Sequence, residues 1–260
     1  MAASEHRSTI RVLEILSILA RNRTGYSLSE ISRELNAPKS SLFPIIHTME
    51  DRNFIQYHPE TLRYTIGIQS YLIGSAYVSG CSVYDLLQQE MNTIVKESGE
   101  TCHLGILVDD CVLYLAKKEA VSPIMLKSHV AQRLPAYCTG IGKALLSGCS
   151  EEELDHLYPP CLQAFTPNTI TSLENLKKEL RQVRDTGFAY ENAELTEGIC
   201  CIAVPLHYHS KVITALSICY PQFRHSELLL ENMKRLLSRV QKEIEHYFEE
   251  FHITDSSCLF

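Results

Sequence analysis

The sequence has no long apolar stretch and no zinc-type cysteine pairs. None of its 260 residues fall in an apolar run of about 18, the length that a membrane-spanning helix needs. The first twenty residues carry charges among their apolar positions, which differs from the continuous apolar core of a signal peptide. Ten cysteines are present, but none is spaced as Cys-x2-Cys. We therefore predict a cytoplasmic protein with reduced thiols, no metal, no cofactor and no membrane contact.

Catalytic motifs are incomplete or missing. The run Thr139–Lys143 is similar to a phosphate-binding loop, but Tyr137 stands where the Walker spacing requires its first glycine, and Ala144 where it requires serine or threonine. The sequence contains neither Gly-x-Ser-x-Gly nor His-Glu-x-x-His. These absences disfavour nucleotide hydrolysis, acyl transfer by an activated serine, and zinc-dependent proteolysis.

A thiol nucleophile or a metal site is the remaining catalytic possibility. Cys201 lies near His207 and His209 in the sequence, next to a second cysteine, Cys200. Cys201 also alternates with apolar residues in a strand-like pattern, which favours a buried and inert thiol. A small-molecule enzyme with an accessory winged-helix domain therefore stays as the alternative hypothesis.

Charge is distributed unevenly along the chain. The net charge is −7, but residues 1–66 hold 8 Lys and Arg against 7 Asp and Glu, whereas the remainder holds 16 against 24. A slightly basic first quarter attached to an acidic remainder fits a DNA-binding module joined to a domain that does not bind DNA.

Helical apolar spacing predicts three helices within residues 1–66, and a hairpin follows them. These segments are the apolar stripe Val12–Leu19, the capping box Ser27–Glu30, the helix opened by Pro38, and the β-prone runs Phe54–Tyr57 and Arg63–Ile66. The short turn between the second and third helices is typical of a helix-turn-helix, to which the hairpin adds a wing.

The third helix carries polar residues that suit DNA. A helix N-terminus with hydroxyls and a lysine favours phosphate anchoring and base contacts in the major groove. Arg63 in the wing is placed to reach the flanking backbone or the minor groove. The predicted DNA-contact set is Lys39, Ser40, Ser41, Phe43, His47 and Arg63. The competing interpretation is an ordinary solvated helix start, in a protein-interaction module that binds no DNA.

Pro44 is unusual because it stands six positions into this helix. Its ring removes the hydrogen bond to the Ser40 carbonyl, so the sequence predicts either a helix that starts late or a kinked one.

After a linker helix at residues 67–80, residues 81–260 predict an α+β domain with a mainly antiparallel sheet. The predicted helices are one around Leu87–Val95 closed by Gly99, then Gly142–Leu146, Glu151–Leu157, Leu173–Asp185 and Ser226–Phe251. The predicted strands are Thr101–Val108, Cys111–Lys117, one near Ile124–Ser128, Ile199–Leu206 and Val212–Cys219.

Short motifs in a fixed order resemble the IclR-type transcriptional regulators over nearly the whole chain. They are Ser27–Ser41, Gly99–Leu104, Thr139–Ala144, Thr166–Ile170, Gly187–Ala189 and Glu194–Pro205. Each fragment is weak alone, but their order and spacing make the match specific.

The resemblance implies a DNA-binding repressor or activator, dimeric or tetrameric, with a GAF-like C-terminal domain that holds a small organic or aromatic acid. Its paired winged domains would read a palindromic operator of double-stranded DNA. The implied effector cavity is lined by the loop Thr139–Gly142, Glu191, Cys201, Ser217 and Cys219. This sequence departs from the family's pattern in two places: Pro44 replaces a common arginine, and Glu191 replaces a common aspartate.

The residues themselves agree with such a site. Backbone N–H groups of Gly140 and Gly142 at a helix start can bind a carboxylate, although a tight strand-to-helix turn would explain these glycines without a ligand. Glu191 favours a hydroxylated, keto or phenolic acid, because its carboxylate can accept a hydrogen bond from a ligand hydroxyl. The predicted closed cavity is bounded by Gly140, Ile141, Gly142, Glu191, Cys201, Ser217 and Cys219.

Overall fold

The contacts along the chain separate an N-terminal unit, Met1–Gly80, from a C-terminal unit, Cys81–Phe260. The structure, a computed structural model, describes residues 6–78, 82–120 and 128–259. Within these described ranges, no helix has both the length and the apolar character to cross a membrane.

The helices that precede the hairpin in the N-terminal unit are α1 Arg7–Ala20, α2 Leu28–Glu34 and α3 Lys39–Asp51. The predicted capping box is confirmed at the start of α2, where the Glu30 N–H donates to the Ser27 hydroxyl and the Ser27 N–H donates to the Glu30 carboxylate. The apolar stripes of the helices meet in one core. Its buried members are Ile15, Leu19, Ile31, Ala37, Leu42, Ile46, Met49, Ile55 and Tyr64.

The predicted wing is confirmed as an antiparallel hairpin of β1 Ile55–His58 and β2 Arg63–Ile66. A bridge between Tyr26 and Tyr64 ties the hairpin to the segment before α2. The helix α4 Ile68–Val78 follows the wing and lies within the predicted linker, whose last two residues fall outside the described ranges.

The described residues of the C-terminal unit form a six-stranded sheet of order β5-β4-β3-β8-β7-β6, in which every neighbouring pair is antiparallel. Its strands are β3 Thr101–Val108, β4 Cys111–Lys118, β5 Arg133–Pro135, β6 Ala189–Asn192, β7 Ile199–Tyr208 and β8 Lys211–Pro221. Its helices are α5 Ser82–Ser98, α6 Gly140–Leu146, α7 Glu151–Leu157, α8 Leu173–Thr186 and α9 Glu227–Glu250, with 3-10 turns at Ala136–Cys138, Gln222–Arg224 and Ser256–Leu259. The predicted α+β class with an antiparallel sheet is confirmed.

Two short strands differ from the prediction. Neither β5 nor β6 was expected, because three or four residues are too few to show an alternating pattern. The strand predicted near Ile124–Ser128 lies outside the described residues, apart from Ser128, which has no regular structure.

Strand alternation gives the sheet two different faces. Large aliphatic residues such as Ile202 and Val204 on β7 face α5 and α9. The opposite face carries small residues, including Ala203 on β7 and Ala215 on β8, against which α6 packs. Cys201 and Cys219 share this small-residue face by register, so it positions the candidate site described below.

Candidate functional site

The predicted DNA-contact residues of α3 are brought together on its outer surface. Lys39, Ser40, Phe43 and His47 are exposed at spacings of three and four residues, which places them on one face of the helix. The His47 imidazole Nδ1 lies 3.0 Å from the Asp51 carboxylate. The α3 surface therefore presents a lysine, a hydroxyl, an aromatic ring and an imidazole to solvent.

Ser41 is partly buried at the start of the same helix. Its hydroxyl donates to the Pro38 carbonyl at 2.8 Å, so it contributes to the first turn as well as to the predicted surface.

Arg63, the wing residue of the predicted contact set, makes hydrogen bonds within the winged domain. Its guanidinium donates to the Gly25 carbonyl at 2.7 Å through Nη1 and to the Glu30 carboxylate at 3.1 Å through Nη2. Its side chain is only 33% exposed. Arg63 is partly buried because the wing folds back onto the segment before α2, and its contact with DNA stays a prediction. Arg63 braces the wing against the capping box of α2.

The helix α3 begins at Lys39 and continues through Pro44 to Asp51, so the late start considered for this helix is wrong. Pro44 is exposed, and its carbonyl accepts from the Thr48 hydroxyl at 2.8 Å. The kink stays a prediction.

A pocket of about 550 Å³ lies on the small-residue face of the sheet, beside the start of α6. The described residues that line it are His103, Tyr114, Ser128, Gln132, Leu134, Thr139, Glu191, Leu195, Thr196, Glu197, Ile199, Cys201 and Cys219. As these residues form it, the pocket is partly open to solvent, whereas the sequence predicted a closed cavity. Residues 195–197, which belong to neither a helix nor a strand, form part of its lining.

Three predicted effector residues line this pocket: Glu191 on β6, Cys201 on β7 and Cys219 on β8. These strands are adjacent in the sheet, and Cys201 pairs in register with both Glu191 and Cys219. Ser217 is fully buried behind the wall, with its hydroxyl 3.8 Å from the Cys219 sulfur. Ser217 therefore supports the wall without lining the pocket.

Thr139 of the predicted loop lines the pocket, but Gly140, Ile141 and Gly142 are not among the lining residues, and both glycines lie in tight surroundings. A Cβ atom on Gly140 would lie 3.1 Å from the Cys201 Cβ, and one on Gly142 would lie 2.2 Å from the Ala136 carbonyl oxygen. The Gly142 N–H already donates to the Thr139 hydroxyl, and Ile141 is buried in the core under α6. These residues thus allow α6 to approach the sheet, which favours the tight-turn interpretation over a carboxylate-binding loop.

Sequence reasoning missed His103 and Tyr114, whose rings stack in the pocket with centroids 4.6 Å apart. His103 is 1% exposed; its Nε2 lies 2.8 Å from the Ser128 hydroxyl and its Nδ1 lies 3.6 Å from the Cys219 sulfur. The sequence did carry a signal for His103: it is a histidine among the apolar residues of β3, inside the motif Gly99–Leu104.

The pocket carries one carboxyl group with a strongly altered pKa. Burial raises the pKa of Glu191 from 4.5 to about 7, an effect that the nearby Cys219 increases and the donated Leu195 N–H opposes. Near neutral pH this carboxyl therefore exists in both forms, so it can donate a hydrogen bond to a ligand or accept one.

Lys143, the residue that suggested a phosphate-binding loop, has another role. It is buried and bonds the carboxylates of Glu194 at 2.7 Å and Glu179 at 3.2 Å. Glu194 directly precedes the pocket residue Leu195, and its ion pair with Lys143 holds this segment against α6.

His207 likewise turns away from the proposed thiol site. Its Nδ1 lies 2.8 Å from the Glu245 carboxylate. Across the residues that the structure describes, no group of three or more His, Cys, Asp or Glu side chains is arranged to hold a metal ion.

Comparison with known proteins gives the same picture for both units. Residues 8–59 match the IclR helix-turn-helix domain, and residues 75–246 match the bacterial transcriptional regulator IclR C-terminal domain. The HTH-type transcriptional regulator XynR of Escherichia coli (strain K12) is 30% identical over 90% of this chain and 93% of its own length. The relatives are transcription regulators, and they lend no support to the enzyme alternative.

Solved structures agree in fold. An IclR transcriptional regulator from Alicyclobacillus acidocaldarius superposes with a TM-score of 0.85 and 25% identity, over 94% of this chain and 99% of that one. An IclR homologue from Microbacterium hydrocarbonoxydans, crystallised with 4-hydroxybenzoate, superposes with a TM-score of 0.79 and 21% identity, over 92% and 99%.

Proposed function

The chain belongs to the IclR family of bacterial transcriptional regulators, and we propose that its C-terminal pocket binds a small organic acid that controls its DNA binding. The observation that carries the proposal is the pocket itself. Its volume of about 550 Å³ suits a small ligand, and it combines apolar walls with a few polar groups, among them His103 and Glu191. Since the protein is a transcription regulator whose target is chromosomal DNA, we place it in the cytoplasm.

The polar groups favour an acid that also carries a hydroxyl or keto group. The Gln132 side-chain carbonyl accepts from the His129 N–H, which leaves its amide N–H groups to donate to a ligand carboxylate. Glu191 donates to a ligand oxygen when protonated and accepts from a ligand hydroxyl when charged. The phenolic acid in the similar Microbacterium structure has both functional groups, which supports the class of ligand rather than its identity.

A thermal-shift screen of hydroxy, keto and phenolic acids on the full chain tests the pocket. A ligand at 100 times its dissociation constant stabilises the protein by about 2.7 kcal/mol. Cys201→Phe places a large ring in the pocket and is expected to abolish the shift while DNA binding persists. Cys200→Ala, one residue along β7 on the opposite face, is the matched control and keeps the shift. A ligand that stabilises Cys201→Phe as strongly as the parent binds elsewhere.

We further propose that paired winged domains of a homodimer or homotetramer read a palindromic operator through Lys39, Ser40, Ser41, Phe43 and His47. Their cluster on α3 supports this assignment. We leave Arg63 out of the proposed contacts because its guanidinium bonds Gly25 and Glu30. The linker helix α4 supports subunit pairing because it leaves large apolar side chains in solvent. They are Ile68, Tyr71, Leu72 and Ile73.

Selection from a random DNA pool tests the operator. The proposal expects an inverted repeat whose half-sites lie about one helical turn, or a multiple of it, apart. A single unrepeated site, bound by a monomer in sedimentation, would contradict the paired arrangement.

A further inference from the structure

Two thiols face each other in the wall of the pocket. Cys201 on β7 and Cys219 on β8 are directly paired in register, and their sulfur atoms lie 2.6 Å apart. Directly opposed residues of antiparallel strands have the Cα separation that a disulfide spans. Cys201 is 6% exposed and Cys219 is 5% exposed, and both line the open pocket, so a small oxidant can reach them from its interior.

The surroundings make the two thiols chemically different. The Cys201 S–H donates to the Cys219 sulfur, and this bond together with the His103 imidazole holds the pKa of Cys219 well below the usual thiol range. The same hydrogen bond, together with burial and the facing Glu191 carboxyl, raises the pKa of Cys201. Tyr114, whose ring stacks on His103, completes the surroundings from β4. A thiolate beside a thiol is the arrangement in which one sulfur attacks an oxidant and the other resolves the product.

We infer that Cys201 and Cys219 form a modification site for hydrogen peroxide, at which a reversible disulfide forms within the wall of the effector pocket. The Cys219 thiolate attacks one peroxide oxygen; an S–O bond forms, the O–O bond breaks, and the departing hydroxide takes up a proton to leave as water. Cys219 is thereby oxidised to a sulfenic acid, and the peroxide is reduced. The Cys201 sulfur then attacks the Cys219 sulfur; the S–S bond forms, the S–O bond breaks, and the Cys201 proton leaves with the hydroxide as a second water.

The disulfide replaces two separate thiols by one rigid link between β7 and β8, which changes the shape and polarity of the wall that the proposed effector contacts. Oxidation is therefore expected to weaken effector binding, by a factor of about 5 to 150 if the coupling is of ordinary size. This consequence rests on the proposed effector function, whereas the thiol chemistry does not.

Peptide mapping of the full-length protein tests the site directly. The reduced chain is treated with a small excess of hydrogen peroxide, remaining thiols are alkylated, and the chain is cleaved after Lys and Arg. Cleavage gives peptide 185–211, which holds both Cys200 and Cys201, and peptide 212–224, which holds Cys219. The inference expects these two peptides to be linked, and dithiothreitol to separate them.

Variants assign the sulfur atoms. Cys200→Ala should keep the link, because Cys200 lies on the opposite face of β7, where its thiol bonds Asn192 at 3.5 Å. Cys201→Ser should lose the link and leave a Cys219 sulfenic acid that dimedone traps. If treated wild-type protein shows no linked pair while the exposed Cys161 is oxidised, the inference is overturned.

The same sample separates this inference from the proposed function. Effector affinity is measured by thermal shift before and after oxidation. A linked pair with unchanged affinity overturns the regulatory consequence alone. The absence of any stabilising acid in reduced protein overturns the proposed function, whatever the peptide map shows.

Discussion

Glu191→Gln should change how the stability of the protein depends on pH. Folding raises the pKa of this carboxyl from 4.5 to about 7, mainly because burial removes the hydration of the charged form. The native state therefore binds the proton more tightly than the unfolded chain. The carboxyl costs nothing below pH 4.5, becomes progressively destabilising between pH 4.5 and 7, and reaches a constant cost above pH 7.

The size of the effect follows from the shift. A change from 4.5 to about 7, at about 1.4 kcal/mol per pKa unit, corresponds to roughly 3 kcal/mol. Glutamine keeps the shape and has no titrating proton. The variant should therefore gain up to roughly 3 kcal/mol relative to the wild type as the pH rises from 4.5 to 8.

The assay is denaturant unfolding of both proteins at half-unit pH intervals, followed by a probe of the C-terminal unit. Glu197→Gln is the matched control, because Glu197 lines the same pocket but is exposed. A difference between Glu191→Gln and wild type that stays flat from pH 5 to 8 would refute the reasoning.

Three further predictions concern the winged domain. Lys39→Ala should weaken binding to all DNA sequences and lower the salt slope by about one phosphate, and gel shifts at several salt concentrations that show neither change would contradict the contact. Arg63→Ala should destabilise the winged domain by about 1 kcal/mol in a thermal melt, because it removes the partly exposed ion pair with Glu30. The variant should leave the salt slope of DNA binding unchanged. A lower slope would show that Arg63 contacts DNA. Pro44→Ala should restore the missing hydrogen bond to Ser40 and change the operator preference without loss of stability; selection of the same site by both proteins would show that Pro44 does not shape the reading surface.

Local features of the fold were predictable from the sequence because their causes lie within a few residues. The helices α7 and α8 lie where expected, because the capping box Ser150–Glu153 starts α7 and the left-handed Gly187 ends α8. The Asp109–Asp110 turn places β3 against β4, and the apolar stripe of α9 spans the expected terminal helix. The strand β6 was missed because its pattern is too short and its pairing with β7 is a long-range contact.

The candidate site, too, was predictable from the sequence only in part. Glu191, Cys201 and Cys219 were reachable through the order and spacing of motifs, and charge asymmetry with the helix-turn-helix pattern indicated a DNA-binding module. Which side chains meet around the pocket depends on strand register, and the register brings His103 of β3 beside Cys219 of β8, 116 residues away.

The sequence by itself determined which segments form the main helices, the turns and the wing, because capping, turn preference and apolar periodicity act over short distances. Only the tertiary structure decided what Gly140 and Arg63 do. Gly140 is small because β7 approaches it, and Arg63 is engaged because the wing returns to Gly25 and Glu30. Both roles are set by atoms distant along the chain, and steric contact and hydrogen bonding exist only once folding has brought those atoms together.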